Sequence, residues 1–172
     1  MEKCSNNDVS CGAILSECGT YRYQLWRIWD ESKPKIFWVM LNPSTADANI
    51  DDSTIRKIRR ITTSLGYGGL YVGNLYPYRA TDPKELKRVG FEIAAREENW
   101  QHLREMNSKC AVRVLAHGNS PIQKPNITSN GEEKDWYCLG KITKFGNPYH
   151  PLYIKEEGLQ LTLLSDVLRH HS

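Results

Sequence analysis

The stretch I-F-W-V-M-L-N-P-S-T-A-D-A-N-I-D-D, Ile36 to Asp52, decides the fold. Its first six residues, Ile36 to Leu41, are apolar without alternation, as in a strand buried on both faces, the usual state of strands in parallel sheets. The run stops at Asn42-Pro43. Proline disfavours the helical region for the residue before it, so the chain stays extended through Asn42. Small polar residues follow, then a helix with Asp51 or Asp52 as its N-cap. In open α/β sheets ligands sit beyond the carboxyl ends of the strands, so Asn42 marks the first place to seek a site.

Working outward, the same design recurs. Leu70 to Gly73 is a second short buried strand, ending at Asn74-Leu75-Tyr76-Pro77-Tyr78-Arg79. Ala111 to Ala116 is a third, ending at His117-Gly118. Trp136 to Leu139 is a fourth, followed by a turn-rich loop, Gly140 to Tyr153, that holds Thr143, Lys144 and His150. Between the first two strands, Ser53 to Leu65 reads as a helix with Ile55, Ile58, Thr62 and Leu65 on one stripe. Arg56, Lys57, Arg59 and Arg60 cover the rest, read as a solvated face in preference to a nucleic-acid patch. Asp82-Pro83-x-Glu85 opens a further helix running to about Met106, interrupted near Gly90. Glu156 to Arg169 reads as a closing amphipathic helix.

Upstream, Met1 to Val9 is polar and expected to be loose. Gly12 to Leu15 and Tyr21 to Ile28 form a hairpin around Cys18-Gly19. Period two puts Arg22, Gln24 and Trp26 on one face, with Tyr21, Tyr23 and Leu25 on the other. Arg22 and Arg27 could touch a phosphate; the plainer reading leaves them on a solvated surface. Ser120 to Asp135 is a long loop or lid. The expected fold is one α/β domain over 1–172. It has three α/β/α layers and a mainly parallel four-stranded sheet in order 2-1-3-4, with the N-terminal hairpin packed at one side.

Composition narrows the class. At 172 residues, 40% hydrophobic and net charge +3, the chain suits a globular domain and tolerates phosphate-bearing ligands. No stretch approaches the roughly 20 apolar residues that cross a bilayer, and Met1 to Asn7 shows no signal pattern, so no membrane partner and a cytoplasmic location are expected. Five cysteines are an odd count for a disulfide framework, and reduced thiols are expected. A metal or cluster site on Cys4, Cys11, Cys18 and Cys138 is the weaker alternative. Asp47, Asp51 and Asp52 read as capping residues before metal ligands. No metal or cofactor is expected.

No Walker loop, G-x-G-x-x-G, nucleophile elbow or H-E-x-x-H occurs. What the strand ends offer is two amides, two histidines and several tyrosines. An amide can orient water or read a base edge, a neutral histidine can donate to a developing anion, and a tyrosine can stack on a planar ring. Those parts suit cleavage of an N-glycosidic bond, where an anionic base leaves an oxocarbenium-like sugar.

The motifs R-Y-x-L-W-R-x-W-D (Arg22 to Asp30), M-L-N-P-S-T-A-D (Met40 to Asp47), D-D-S-T-I-R (Asp51 to Arg56), G-Y-G-G-L-Y-V-x-N-L (Gly66 to Leu75), Y-R-A-T-D-P (Tyr78 to Pro83) and T-K-x-G-x-P-x-H-P-L-Y (Thr143 to Tyr153) resemble the domain of unknown function 1643 family, widespread in bacteria and their phages. More distantly, N-P after the first strand, Asn after the second and H-P after the fourth are similar to the uracil-DNA glycosylase superfamily. That resemblance implies a glycosylase-like fold, Asn42 orienting the hydrolytic water, Asn74 reading the base edge, and His150 stabilising the leaving base. Leu152 stands where the superfamily's H-P-S has serine, and Tyr153 to Glu157 holds no wedge. The implied partner is therefore a nucleotide or nucleic acid with its base unpaired, rather than duplex DNA.

The sequence thus predicts an N-glycosidase-like hydrolase with Asn42 and His150 catalytic. Substrate contacts are expected from Asn74, Ser44, Thr45, Tyr76, Tyr78, Arg79, His117, Gly118, Thr143 and Lys144. The alternatives are a nucleotide- or nucleic-acid-binding module, such as a sequestering protein, and a base-modifying transferase.

Overall fold

A computed structural model describes residues 8–90, 95–119 and 135–170. The strand read from Ile36 is the centre of the sheet. β3, Lys35–Met40, runs parallel to β4, Gly69–Asn74, on one side and to β5, Val112–Leu115, on the other. Trp38, Met40 and Ile36 point into one core with Ile55, Ile58 and Ile61 of helix α1, Ser53–Ser64. Phe37 and Val39 point into the other, against Leu103 and Met106 of helix α3, Glu98–Ser108, and Leu164 of helix α4, Leu164–Arg169. Ile36 to Val39 are all 0% exposed, so each side chain gains about 1.5–3 kcal/mol from burial. The Trp38 indole donates to Thr62 Oγ1 at 3.1 Å, which satisfies its one polar group and pins α1 to the sheet.

The sheet itself corrects the expected architecture. It is a seven-stranded mixed sheet, in order β1-β2-β4-β3-β5-β6-β7, not a mainly parallel four-stranded one; the expected order 2-1-3-4 survives only for its central strands β4, β3, β5 and β6. β1, Ser10–Leu15, pairs antiparallel with β2, Arg22–Ile28. β2 does not pack to one side; its open edge ladders antiparallel onto β4. At the far side β6, Trp136–Leu139, is parallel to β5, and β7, Leu161–Leu163, is antiparallel to β6. Three of the six ladders are therefore antiparallel, and an unpaired strand edge explains each extension: it presents a row of donors and acceptors that the next segment satisfies.

Other expectations change with it. The closing helix shortens to Leu164–Arg169 because Gly158 takes φ +67 and the alternating Leu159, Leu161 and Leu163 suit a strand. Among the described residues the helical stretch expected from Asp82 to Met106 comprises α2 at Glu85–Val89 and α3, and Gly90 at φ +96 ends the first where an interruption was expected. The end of the supposedly loose N-terminal stretch is tied down: Val9 N donates to Ile28 O at 2.8 Å and Arg59 Nη1 to Asp8 Oδ2 at 2.9 Å. Residues 1–7 and all but Asp135 of the loop 120–135 lie outside the described residues. No described helix is long and apolar enough to cross a membrane.

The α3 side is packed to contact. A Cβ at Gly73 would stand 2.4 Å from Leu103 Cδ2 and 2.9 Å from Met106 Cε. Gly73→Ala is expected to lower the unfolding free energy by about 1–3 kcal/mol, read as a lower urea midpoint with unchanged slope.

Candidate functional site

The loop between β3 and α1 is held by its carbonyls. Arg79 reaches Ser44 O and Thr45 O, both at 3.4 Å, and Gly19 O at 3.1 Å. Arg22 Nη1 donates to Ala46 O at 2.9 Å, and Arg27 Nη2 to Asp47 O at 2.7 Å. Four successive carbonyls are thus turned toward three guanidiniums. The N–H groups of Ser44, Thr45 and Ala46 meet no acceptor among the described residues. Asp47 closes the loop by accepting from Asn49 N and Ile50 N, which with the arginines holds its carboxyl below the usual range. Asp52 caps α1 by accepting from Ile55 N at 2.9 Å.

Arg22 and Arg27 are buried, 2% and 1% exposed, which corrects the solvated reading. Arg27 pairs with Asp51 at 2.8 Å. Arg22 meets only neutral acceptors, Ala46 O and, at 3.2 Å, Asn74 Oδ1. Its Nε is buried with no partner. Burial pushes its guanidinium down to about 10, with Asp52 opposing. The strict alternation of the sequence reading fails here because of a β-bulge. Ile14 faces Gln24, yet the next residue Leu15 faces Arg22, so Tyr23 is extra. The bulge re-aims Arg22 onto the loop side with Arg27, whereas Gln24 reaches His102 and Glu105 on α3.

The strand tips lie side by side. Met40 and Asn74 are register partners, and Tyr76 N donates to Leu41 O at 2.9 Å. Ala116 N donates to Val39 O at 2.8 Å, bringing His117 to the level of the β3 tip. Gly118 N donates to Pro148 O at 3.0 Å, and a Cβ on Gly118 would lie 3.3 Å from His150 Cβ. The structure therefore assembles Asn42, Asn74, His117, Gly118 and His150 along one end of the sheet. Each polar side chain among them is tied at one atom or left open at another. Asn42 Nδ2 donates to Ala80 O at 2.8 Å and Pro43 O at 3.2 Å, while its Oδ1 accepts nothing from a described residue. Asn74 gives Oδ1 to Arg22 and leaves Nδ2 buried without a partner. His117 Nδ1 is likewise buried and unpartnered. His150 Nδ1 accepts from Leu152 N at 3.3 Å, which leaves its proton on Nε2 in the neutral ring. Burial lowers the pKa of both histidines; Asp52 opposes this at His150.

The remaining expected contacts fare differently. Ser44 is half-buried and Thr45 exposed on the loop. Tyr76 is half-buried on the β4 tail. Tyr78 packs edge-on against Tyr21, with ring centroids 5.9 Å apart, a packing role on the hairpin side. Arg79 is a scaffold for loop carbonyls. Thr143 is buried at 6%, and its Oγ1 accepts from Phe145 N and Asn147 N, so it shapes a turn. Lys144 is exposed with its ammonium over the Phe145 ring. The basic residues of α1 are engaged: Lys57 holds Ile154 O at 2.6 Å and Arg60 holds Glu156. Arg22 as a buried group beside Asn74, and the charge of Asp52 acting on His150, are what the sequence reading missed.

The cysteines are dispersed. Cys11 is disulfide-bonded, which corrects the expectation of reduced thiols throughout. Cys138 is 0% exposed in the core and Cys18 sits at the exposed hairpin turn. No group of three metal-binding side chains forms among the described residues, and Cys4 lies outside them.

A family model described as a protein of unknown function, DUF1643, matches residues 22–152. The chain belongs to the DUF1643 family. The matched span of this DUF1643 chain begins at Arg22 and takes in every residue of the strand-tip site. No curated protein and no solved structure matches the chain.

Two outcomes follow from the charge states. Above the unfolded histidine value of about 6.5 both states hold neutral rings, so the stability is whole. As pH falls below it, the unfolded chain takes up protons that buried His117 and His150 resist, and stability is lost toward their lowered folded values. The melting temperature is expected to drop below about pH 6.5, and less steeply in a His117→Gln, His150→Gln protein. Hydrogen bonding with Ser16 and Thr20 brings the exposed Cys18 thiol down to about 7, whereas burial pushes Cys138 up to about 11. Iodoacetamide at neutral pH should modify Cys18 first and spare Cys138, as peptide mass mapping would report.

Proposed function

We propose that the chain is an N-glycosidase-like hydrolase acting on the nucleobase of a nucleotide or of unpaired nucleic acid. The observation that carries the reading is the set of polar groups at the strand tips, each with an atom that meets no partner among the described residues. Asn42 Oδ1, held in orientation by its own Nδ2, is an acceptor for one water hydrogen. Asn74 Nδ2 is a donor for a base carbonyl. His150 Nε2–H is a donor for charge that develops on the departing base. Arg22 supplies a fixed positive charge behind Asn74. Such donors need no reorganisation as charge moves, which is where electrostatic catalysis gains most.

In the reaction the water oxygen bonds to the anomeric carbon as the C–N bond breaks. The bonding pair leaves with the base, and the water's proton ends on the base or in solvent. Neutral His150 stabilises the anion through a hydrogen bond. A second reading, a module that binds without turnover, is favoured by one observation: Asp52, the carboxylate whose charge acts on His150, is engaged in capping α1.

Chromatography of free base released from nucleotides and from single- and double-stranded oligonucleotides tests the reading. Wild type should release one base, and His150→Gln and Asn42→Ala should each slow release by about 10²–10³-fold while still folded at the assay temperature. Binding of a nucleotide by thermal shift with no release from any substrate would give the module instead.

A further inference from the structure

The loop that carries His150 has a second character that the strand tips do not explain. Large apolar side chains exposed to solvent are few among the described residues: Val9, Ile14, Ile50, Phe145, Leu152 and Tyr153. Half of them fall within nine residues of this one loop, and Phe145 and Tyr153 are 66% and 79% exposed. Exposed aromatic rings lose contact with other protein atoms and gain nothing for the core. Their clustering therefore points to a partner surface.

The charge around them selects the partner. Lys144 Nζ lies 5.0 Å over the Phe145 ring and Lys141 Nζ 5.7 Å over that of Tyr149. Lys155 is exposed just beyond Tyr153. The nearest acid downstream, Glu156, is held by Arg60. Rings interleaved with lysines are the pattern that binds single strands: bases stack on the rings and phosphates follow the cations. A duplex hides its base faces and offers nothing for the rings to stack on. The lip is also joined to the site. Tyr153 lies 5.8 Å from His150, centroid to centroid, and the turn 151–153 is fixed by the hydrogen bond to His150 Nδ1 and by Lys57 on Ile154 O.

We infer that the 141–155 lip binds single-stranded nucleic acid by stacking on Phe145 and Tyr153, with Lys141, Lys144 and Lys155 on the phosphates, and so feeds an unpaired base toward His150. This rests on the proposed hydrolase reading for the destination of the base, while the binding surface stands on its own observations. It makes a strand, not a free nucleotide, the substrate class.

Fluorescence anisotropy with a labelled single strand of about 12 nucleotides tests it, since such grooves cover about 4–16. Wild type should bind the strand more tightly than the matching duplex, and a mononucleotide should compete only weakly. Affinity should fall with salt, with a log–log slope of about −2 for three lysines on single-strand phosphates. Phe145→Ser with Tyr153→Ser should weaken strand binding about 10- to 100-fold. Lys141→Gln with Lys144→Gln should flatten the salt slope. Both doubles change exposed side chains and should melt like wild type. Equal affinity for the duplex, full competition by a mononucleotide, or unchanged binding by the aromatic double would overturn the inference. Unchanged strand binding in that double, with base release still lost in His150→Gln, removes the lip and leaves the hydrolase. Strand binding lost in the double, with no base released by wild type, keeps the lip and removes the hydrolase.

Discussion

Three guanidiniums gripping one loop organise the functional end of this protein. Arg22, Arg27 and Arg79 take the carbonyls of Ser44 to Asp47, and Asp47 ties the far end of that run to Asn49 and Ile50. Desolvating a guanidinium is costly, so Arg27 and Arg22 must meet strong acceptors. Arg27 has Asp51 as well as carbonyls; Arg22 has none but neutral oxygens. The loop is thus part of how the sheet buries its charges, and its shape is set by β2 and the β4 tail as much as by its own sequence.

That arrangement ties the site's parts into one structure. Asn74 is held through Arg22, and Asn99 Nδ2 donates to its carbonyl from α3 at 2.8 Å. Asn42 is zipped to Ala80, whose N–H returns to Pro43 O at 2.9 Å. His150 is placed by Gly118 on one side and by the turn after it on the other. The positive φ of Gly118, +74, is what lets the β5 tip approach the histidine so closely. The geometry of each tip therefore depends on the neighbouring tips.

The core of this fold was legible where periodicity was unbroken. Ile36 to Leu41 announced a doubly buried strand, and Ile55, Ile58 and Thr62 announced the face of α1, because burial on both faces and a 3.6 period leave direct traces in composition. Long-range pairing leaves none. Nothing in Arg22 to Ile28 says that the hairpin's second strand joins β4, or in Leu161 to Leu163 that they join β6, since an edge strand reads the same wherever it docks. At the site, residue types placed Asn42, Asn74, His117 and His150 at strand ends. The role of Arg22 was hidden by one extra residue, Tyr23, that breaks the period-two rule at the point where it mattered.

The β2–β4 ladder also has a consequence for how the molecule forms. The β1–β2 hairpin and the β3-α1-β4 crossover are each built from contacts near in sequence, and such units form before distant pairings repay their loop closure. The ladder that joins them, Leu25 on Val72 through Ile28 on Gly69, belongs to a later step. Only that step brings Arg22 and Arg27 out of water and onto the Ser44 to Asp47 run. The working end therefore depends on a pairing that neither local unit contains on its own.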